Sequence, residues 1–133
     1  MSKLFLIFSH KLTAEQITDA QISLNATEFI YLPNDLQQIW SNISPYKEDI
    51  TNDIQMIYRF VIQNDDSEQK NKKNYILIQG DFGATYYLVN QFINTNIIPV
   101  YSTTERQVIE EKINENETKK TVVFKHVKFR NYK

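Results

Sequence analysis

Four short apolar runs are the feature that most constrains the fold of this 133-residue chain. They occupy residues 4–8, 29–32, 75–78 and 97–101. The first is apolar without alternation, which is typical of a parallel strand covered on both faces; a strand with one wet face alternates in polarity. The four runs therefore predict the strands of a mainly parallel sheet.

Helical patterns separate these runs. Thr13 and Gln16 have the spacing of a capping box, which predicts a helix start before the stripe formed by Ile17, Ala20 and Leu24. A short helix is predicted over residues 35–42. A longer one is predicted from the i, i+4, i+7, i+11 spacing of Ile50, Ile54, Ile57 and Val61. A fourth helix is predicted from about Thr85, with one apolar side made of Leu88, Val89, Phe92 and Ile93.

The last third of the chain has a different pattern. Residues 107–113 and 121–130 are predicted to be the strands of an antiparallel hairpin joined by the polar residues 114–117. A helix over residues 105–113 is the alternative. Pro99, inside the fourth apolar run, indicates either a sheet edge or a strand that starts late. The polar segment 64–74 is predicted to be an exposed loop.

Alternating strands and helices predict an α/β fold, a Rossmann-like three-layer sandwich. With right-handed crossovers, the simplest parallel sheet has the order 2-1-3-4, and the hairpin joins it at an edge. We expect one domain over residues 1–133, with a core at 1–105 and the hairpin at 106–133. The strand order reverses between strands 1 and 3, and open parallel sheets bind ligands beyond the carboxyl ends of the strands at such a reversal.

The turn after strand 1 carries Ser9, His10 and Lys11. Histidine suits proton transfer near neutral pH, and the lysine beside it is able to hold a phosphate. Ser9 is a candidate donor to a phosphate oxygen or a cap for the turn. The alternative for His10 is an ordinary histidine in a surface loop.

The turn after strand 3 leads from a buried strand into a helix and contains both glycines of the protein. Glycines allow close approach of the backbone to a ligand, and a helix N-terminus offers free N–H groups to an anion. The alternative is a tight turn whose glycines have positive φ. The candidate ligand-binding residues here are Gln79, Gly80, Asp81, Phe82, Gly83, Ala84 and Thr85.

Two further groups complete the set of candidates. Thr103, Thr104 and Arg106 follow strand 4 and would lie at the same rim. His126 would share one strand face with Phe124, Lys128 and Arg130, which indicates either a cationic stripe facing a ligand or a solvated edge.

Composition excludes several classes of protein. The absence of cysteine excludes disulfides, thiolate nucleophiles and iron–sulfur clusters, and no His and carboxylate cluster has the spacing of a metal site. A net charge of −1 argues against a protein that coats long nucleic acid. The initial apolar run is too short for a signal peptide or a membrane span, so we expect a cytoplasmic protein with no membrane partner.

The sequence resembles a family of small stand-alone CRISPR-associated proteins of the type III Csx group, which are similar to CRISPR-associated Rossmann fold (CARF) sensor domains. The resemblance runs from end to end and is weakest between residues 46 and 74. Its motifs are Lys-Leu-Phe-Leu-Ile-Phe-Ser-His-Lys-Leu-Thr at 3–13, Leu-Ile-Gln-Gly-Asp-Phe-Gly-Ala-Thr at 77–85, Pro-Val-Tyr-Ser-Thr-Thr at 99–104 with Arg106, and Phe-Lys-His-Val-Lys-Phe-Arg at 124–130, together with residues 29–33 and 36–42.

The resemblance implies binding of cyclic oligoadenylate, most often cyclic tetra-adenylate, and a ring nuclease activity that linearises it. No cofactor is implied, because a ribose 2′-hydroxyl attacks the adjacent phosphate. Our hypothesis gives His10 the general acid or base role, and phosphate positioning to Ser9, Lys11, Thr103, Thr104 and Arg106. A two-fold homodimer would match the symmetry of the ring. The alternatives are a protein that binds the ring without cutting it and an interaction protein unrelated to nucleotides.

Overall fold

The computed structural model describes residues 1–132. It contains five strands and four helices: β1 (Ser2–Ile7), α1 (Ala14–Ser23), β2 (Ala26–Tyr31), α2 (Asn34–Ser41), α3 (Thr51–Asn64), β3 (Asn74–Ile78), α4 (Phe82–Phe92), β4 (Ile97–Asn114) and β5 (Glu117–Asn131). The predicted α/β class is confirmed. The mainly parallel sheet and the antiparallel pair formed by the last two strands are confirmed as well.

The five strands form one sheet in the order β2-β1-β3-β4-β5. Strand β1 lies between β2 and β3 and is parallel to both, and β4 is parallel to β3. From β1 the chain therefore passes to one side of the sheet to form β2, and it then returns past β1 to form β3 on the other side. Strand β5 runs antiparallel to β4 and forms the outer edge.

Helices cover both faces of the sheet. Phe5 and Ile7 of β1 are buried with residues of α2, α3 and α4, whereas Leu4 and Leu6 are buried with residues of α1. Burial on both faces explains why the run at β1 is apolar without alternation. No helix within residues 1–132 is both long and apolar enough to cross a membrane.

The helix starts are set by local hydrogen bonds. At α1 the predicted capping box is confirmed: the Thr13 amide donates to Gln16 Oε1 at 2.9 Å, and the Gln16 amide donates to Thr13 Oγ1 at 3.2 Å. Helix α4 begins at Phe82, earlier than predicted, because Asp81 accepts a bond from the Ala84 amide at 3.0 Å and caps the helix.

The antiparallel pair is longer than predicted. Strand β4 has 18 residues and β5 has 15, so the alternative helix over residues 105–113 is wrong. The edge position for Pro99 is also wrong, since β4 lies between β3 and β5. The proline ring removes one donor, but the Pro99 carbonyl still accepts from the Tyr132 amide at 3.1 Å.

The predicted loop between α3 and β3 is confirmed and most of its residues are exposed, but part of it is buried. Ser67 and Asn74 are buried there. The Asn74 side-chain amide donates to the carboxylates of Asp65 and Asp66 at 2.8 and 2.9 Å. Three ammonium groups surround Asp66 Oδ2 at 3.1–3.5 Å, and they belong to Lys3, Lys70 and Lys72. Polar residues satisfy one another in this segment and fix it against β1.

Candidate functional site

The structure brings together the turns that follow β1 and β3. These strands are neighbours, with Ile7 opposite Ile78, and the Gln79 amide donates to the Ile7 carbonyl at 3.0 Å. Ser9, His10 and Lys11 are all exposed beyond the end of β1. The two predicted turns thus lie side by side at the carboxyl edge of the sheet. They lie at the reversal of strand order, since β2 and β3 are on opposite sides of β1.

A hollow of about 480 Å³ lies beside the β1 turn. The exposed His10 ring forms one of its walls and packs edge-on against Phe8, with the ring centroids 6.4 Å apart. The Gln37 side chain donates to the Phe8 carbonyl at 2.9 Å and holds α2 against this turn. The polar and aromatic residues that line the hollow are Phe8, Ser9, His10, Lys11, Tyr31, Asn34 and Gln37.

The sequence did not predict that Tyr31, Asn34 and Gln37 line this hollow. Tyr31 lies within the apolar run 29–32 and was counted with the strand, yet 49% of its surface is exposed. The available signal was a tyrosine, whose ring carries a polar hydroxyl, at the carboxyl end of a predicted parallel strand. Such a ring can stack on a nucleobase, and asparagine and glutamine side chains can bond the edge of adenine.

The β3 turn is held by Trp40 and Gln79. The Trp40 indole N–H donates to the Gln79 carbonyl at 3.0 Å, and Gln79 Oε1 accepts from the Ser102 amide at 2.9 Å. A Cβ on Gly80 would lie 2.8 Å from Trp40 Nε1. The alternative of glycines at positive φ is wrong, since neither Gly80 nor Gly83 has a positive φ. Close packing is what requires a glycine at position 80.

The predicted anion-binding turn is largely the first turn of α4. The first N–H groups of a helix have no acceptor within the helix. The Ala84 amide donates to the Asp81 side chain, so the amides of Phe82 and Gly83 are the ones that remain to bind an anion. Ala84 is buried, and Thr85 Oγ1 is buried with no hydrogen-bond partner within residues 1–132. The Phe82 side chain is almost fully exposed.

The residues predicted to follow strand 4 lie within β4 instead, so their placement in a rim loop is wrong. The Thr103 hydroxyl donates to the Lys128 carbonyl at 3.0 Å and accepts from the Lys128 amide at 3.2 Å, where the strand register shifts. Thr104 and Arg106 are exposed on the hairpin, and Arg106 lies about 13 Å farther along the strand than Ser102 at the usual rise per residue. The hydroxyl of Thr103 is therefore already engaged.

A partly buried chain of polar side chains, which no sequence pattern predicted, joins α1, β4 and β5. Asp19 Oδ2 lies 2.7 Å from His126 Nε2, and His126 Nδ1 lies 2.5 Å from Ser102 Oγ. The Gln16 side chain reaches the same hydroxyl at 3.4 Å. His126 is thus neither of the two predicted alternatives, because only 4% of its side chain is exposed. Asp19 and His126 are 107 positions apart in the sequence, so no local pattern indicates this pair.

These residues have the composition of a catalytic triad but not its accessibility. Ser102 is buried and does not line the hollow of about 450 Å³ beside His126. Burial alone would raise the pKa of Asp19, but hydrogen bonds from Ser23 and His126 outweigh it and lower that pKa below its usual range. The chain of bonds fixes the hairpin to α1 and, through the Ser102 amide, fixes the Gln79 side chain. Within residues 1–132, no three His, Asp or Glu side chains are placed to hold a metal ion.

The fold and the carboxyl-edge hollow define a small α/β protein with a mainly parallel sheet. The chain belongs to the family described as the uncharacterized protein MJ1673 family, whose profile matches residues 2–130. It is 48% identical over 133 residues to the uncharacterized protein MJ1673 of Methanocaldococcus jannaschii, and the match covers 99% of this chain and 98% of that protein. No solved structure matches the chain.

Proposed function

We propose that this protein binds cyclic oligoadenylate, cyclic tetra-adenylate above all, and linearises it, which would end type III CRISPR signalling. The observation that carries the proposal is the juxtaposition of the β1 and β3 turns at the carboxyl edge, next to a hollow with an exposed histidine, lysine and aromatic ring. The resemblance to CARF-like Csx proteins supplies the ligand. It runs along most of the chain, and the residues of these two turns are among those that carry it.

The ligand supplies both reacting groups. A ribose 2′-hydroxyl loses its proton and attacks the adjacent phosphorus, the bond from phosphorus to the 5′-oxygen breaks, and that oxygen takes up a proton. The products are a 2′,3′-cyclic phosphate and a free 5′-hydroxyl. The protein must hold the nucleophile in line and stabilise the negative charge on the phosphate oxygens.

Each role falls to a group that is exposed at the carboxyl edge. His10 is the proton carrier, because its ring is accessible in the hollow. Lys11 and Ser9 lie beside it and bind phosphate oxygens. The amides of Phe82 and Gly83, at the start of α4, offer a second site for a phosphate. Tyr31 stacks on an adenine, which would place one nucleotide in the hollow.

The alternative is a protein that binds the ring and sequesters it. The position of His10 favours this alternative, because His10 lies on an exposed turn and its ring packs against the Phe8 ring, which cannot orient it by a hydrogen bond. A catalytic histidine is usually oriented by a second group, and a binding histidine needs none. Both functions use the same hollow and differ only in the fate of the ring.

One assay separates these functions. Purified protein is incubated with cyclic tetra-adenylate in excess chelator, and the products are separated by chromatography. Linear products with a 2′,3′-cyclic phosphate support the enzyme, whereas bound but intact ring supports the sequestering protein. Absence of both binding and cleavage would overturn both functions.

The variant His10→Ala tests the assigned role. We expect cleavage to slow by about 10²–10⁴-fold with binding retained, which is the usual contribution of a general acid or base. Lys125→Ala, an exposed cation on the hairpin, is the matched control and should cleave at the wild-type rate. Undiminished cleavage by His10→Ala would remove His10 from the mechanism.

A further inference from the structure

Gln79 is the residue at which three elements meet beyond the end of β3. Its backbone amide donates to the Ile7 carbonyl of β1 at 3.0 Å, and its backbone carbonyl accepts from the Trp40 indole of α2 at 3.0 Å. Its side-chain oxygen, Oε1, accepts from the Ser102 amide of β4 at 2.9 Å. These bonds fix both the backbone and the side chain of Gln79 at the carboxyl edge of the sheet.

The side-chain nitrogen of Gln79, Nε2, is not used in this way. A backbone amide only donates, so the atom that faces the Ser102 amide is the oxygen, and the NH₂ group is turned away from it. Within residues 1–132, Oε1 is the only side-chain atom of Gln79 that makes a hydrogen bond. Nε2 is not one of the buried polar atoms that lack a partner there, so it is accessible to solvent. The carboxyl edge therefore presents an NH₂ group that is held in one orientation and has both hydrogens free.

The residue that orients this side chain is itself fixed on several sides. Ser102 is buried and is paired with Phe129 of β5. Its hydroxyl contacts the His126 ring, which Asp19 holds from the other side. The Ser102 amide thus gives the Gln79 side chain a firm support. A group that is held before its ligand arrives loses little conformational freedom on binding, which makes its hydrogen bonds to the ligand more effective.

The groups that neighbour Gln79 along the carboxyl edge are hydrogen-bond donors. The bond from its backbone amide joins it to the end of β1, and the β1 turn with Ser9 and Lys11 follows that end. In the other direction the chain leads from Gln79 to the amides of Phe82 and Gly83 at the start of α4. An oxygen of a phosphodiester is negatively charged and only accepts, so donors from two adjacent turns suit it.

The orientation of the side chain favours a phosphate over a base as its partner. Glutamine recognises adenine by using both of its polar atoms, with the oxygen toward N6 and the nitrogen toward N7. Oε1 of Gln79 is directed at the Ser102 amide, so the NH₂ group faces a ligand alone. The carboxylate in the same turn, that of Asp81, is bonded to the Ala84 amide at the helix start.

We infer that the Gln79 NH₂ group donates to a phosphate oxygen of a bound adenosine nucleotide. The phosphate would lie between the β1 turn and the start of α4, with Gln79 as the donor between the two. The inference rests on the proposed function for the identity of the nucleotide as a cyclic oligoadenylate. The donor and its orientation follow from the hydrogen bonds to Ile7, Trp40 and Ser102.

The variant Gln79→Glu tests the donor, because it keeps the shape of the side chain and an acceptor for the Ser102 amide. The second carboxylate oxygen replaces the NH₂ group and repels a phosphate. We expect the affinity for cyclic tetra-adenylate to fall by about 10–100-fold, the usual effect of losing a hydrogen bond to a charged group. Gln63→Glu is the matched control, since it places the same charge on an exposed glutamine at the end of α3 and should bind as the wild type does. Calorimetric titration measures both.

Nuclear magnetic resonance of the wild type tests the same donor without a substitution. Cyclic tetra-adenylate and adenosine monophosphate should each shift the side-chain NH₂ signals of Gln79, whereas adenosine, which lacks a phosphate, should leave them in place. Equal shifts with adenosine and with its monophosphate would mean that the base contacts Gln79, which overturns the inference. A folded Gln79→Glu variant that binds the ring as tightly as the wild type overturns it as well.

The same titrations separate this inference from the proposed function. If adenosine monophosphate shifts the Gln79 signals and the wild type has no affinity for the ring, the donor is supported and the function is overturned. If the ring binds and the Gln79 signals do not move, the function stands and the inference is overturned. Signals that move with neither nucleotide also overturn the inference.

Discussion

Gly80 lies where the β3 turn passes the Trp40 indole, and no larger residue fits there. A Cβ at this position would lie 2.8–2.9 Å from three atoms of the buried indole ring, which is itself held by its bond to the Gln79 carbonyl. We expect Gly80→Ala to lower the free energy of unfolding by about 1–3 kcal/mol, the usual effect of overpacking. Urea denaturation measures this loss.

The second glycine is the control. A Cβ on Gly83 would have Asp81 Oδ2 as its nearest contact, at 3.6 Å, so Gly83→Ala should be neutral or stabilising by up to about 1 kcal/mol. Equal effects of the two substitutions would show that backbone conformation, and not the indole, requires glycine. The sequence predicts a special turn here, but the reason depends on Trp40, which is 40 residues earlier.

Tyr31 provides a second test at the level of one residue. If its exposed ring stacks on an adenine, Tyr31→Ala should weaken ring binding by about 5–100-fold, the loss usually measured when a base loses a stacking partner. Tyr31→Phe should bind as well as the wild type, because stacking requires the ring alone. Calorimetric titration with cyclic tetra-adenylate measures both. Unchanged affinity in Tyr31→Ala would mean that the base lies elsewhere.

At the level of the elements, a hydrogen bond between side chains connects the hairpin to α1. Asp19 of α1 accepts the bond from His126, whose side chain is buried, and the two atoms lie 2.7 Å apart. We expect Asp19→Ala to destabilise the protein by about 1–3 kcal/mol, because a buried donor loses its acceptor. Amide hydrogen exchange in β5 should accelerate more than exchange in β1.

The conservative variant separates the bond from the charge. Asp19→Asn keeps an oxygen acceptor and should retain part of the protection in β5, while Asp35→Ala, an exposed carboxylate in the first turn of α2, should change neither strand. Equal acceleration in β1 and β5 would mean that Asp19 supports the whole fold and has no special link to the hairpin.

Whether an element could be predicted depends on how far apart in the sequence the residues that define it lie. The apolar strands and the capping box at Thr13 are marked by residues within a few positions of one another. The length of β4 is not, since residues 102–106, which join the two predicted strands into one, are all polar and are paired with β5. The turns that carry Ser9, His10 and Gln79 followed from strand order, whereas the pairing of His126 with Asp19 needed the folded chain.

For the whole molecule, the amino-terminal edge of the sheet is fixed by Asp66. Its side chain is mostly buried. A hydrogen bond from Asn74 and the ammonium groups of Lys70, Lys72 and Lys3 hold the pKa of Asp66 well below the usual range. These partners belong to β3, the polar segment and β1. A carboxyl group whose pKa is lower in the folded state stabilises the fold above the pKa of the unfolded chain, which is about 4. That stabilisation is lost as the pH falls toward the lower, folded-state value.

The resulting prediction is a loss of stability in acid that one substitution removes. In urea titrations at pH 7, 5 and 3, Asp66→Asn should be less stable than the wild type by about 1–3 kcal/mol at pH 7. The difference should be unchanged at pH 5 and should shrink below about pH 4, where the unfolded wild-type chain takes up the proton. Glu48→Gln, an exposed carboxylate before α3, should follow the wild type throughout. A constant difference at every pH would mean that Asp66 contributes through packing, because only the charged form can make stability depend on pH.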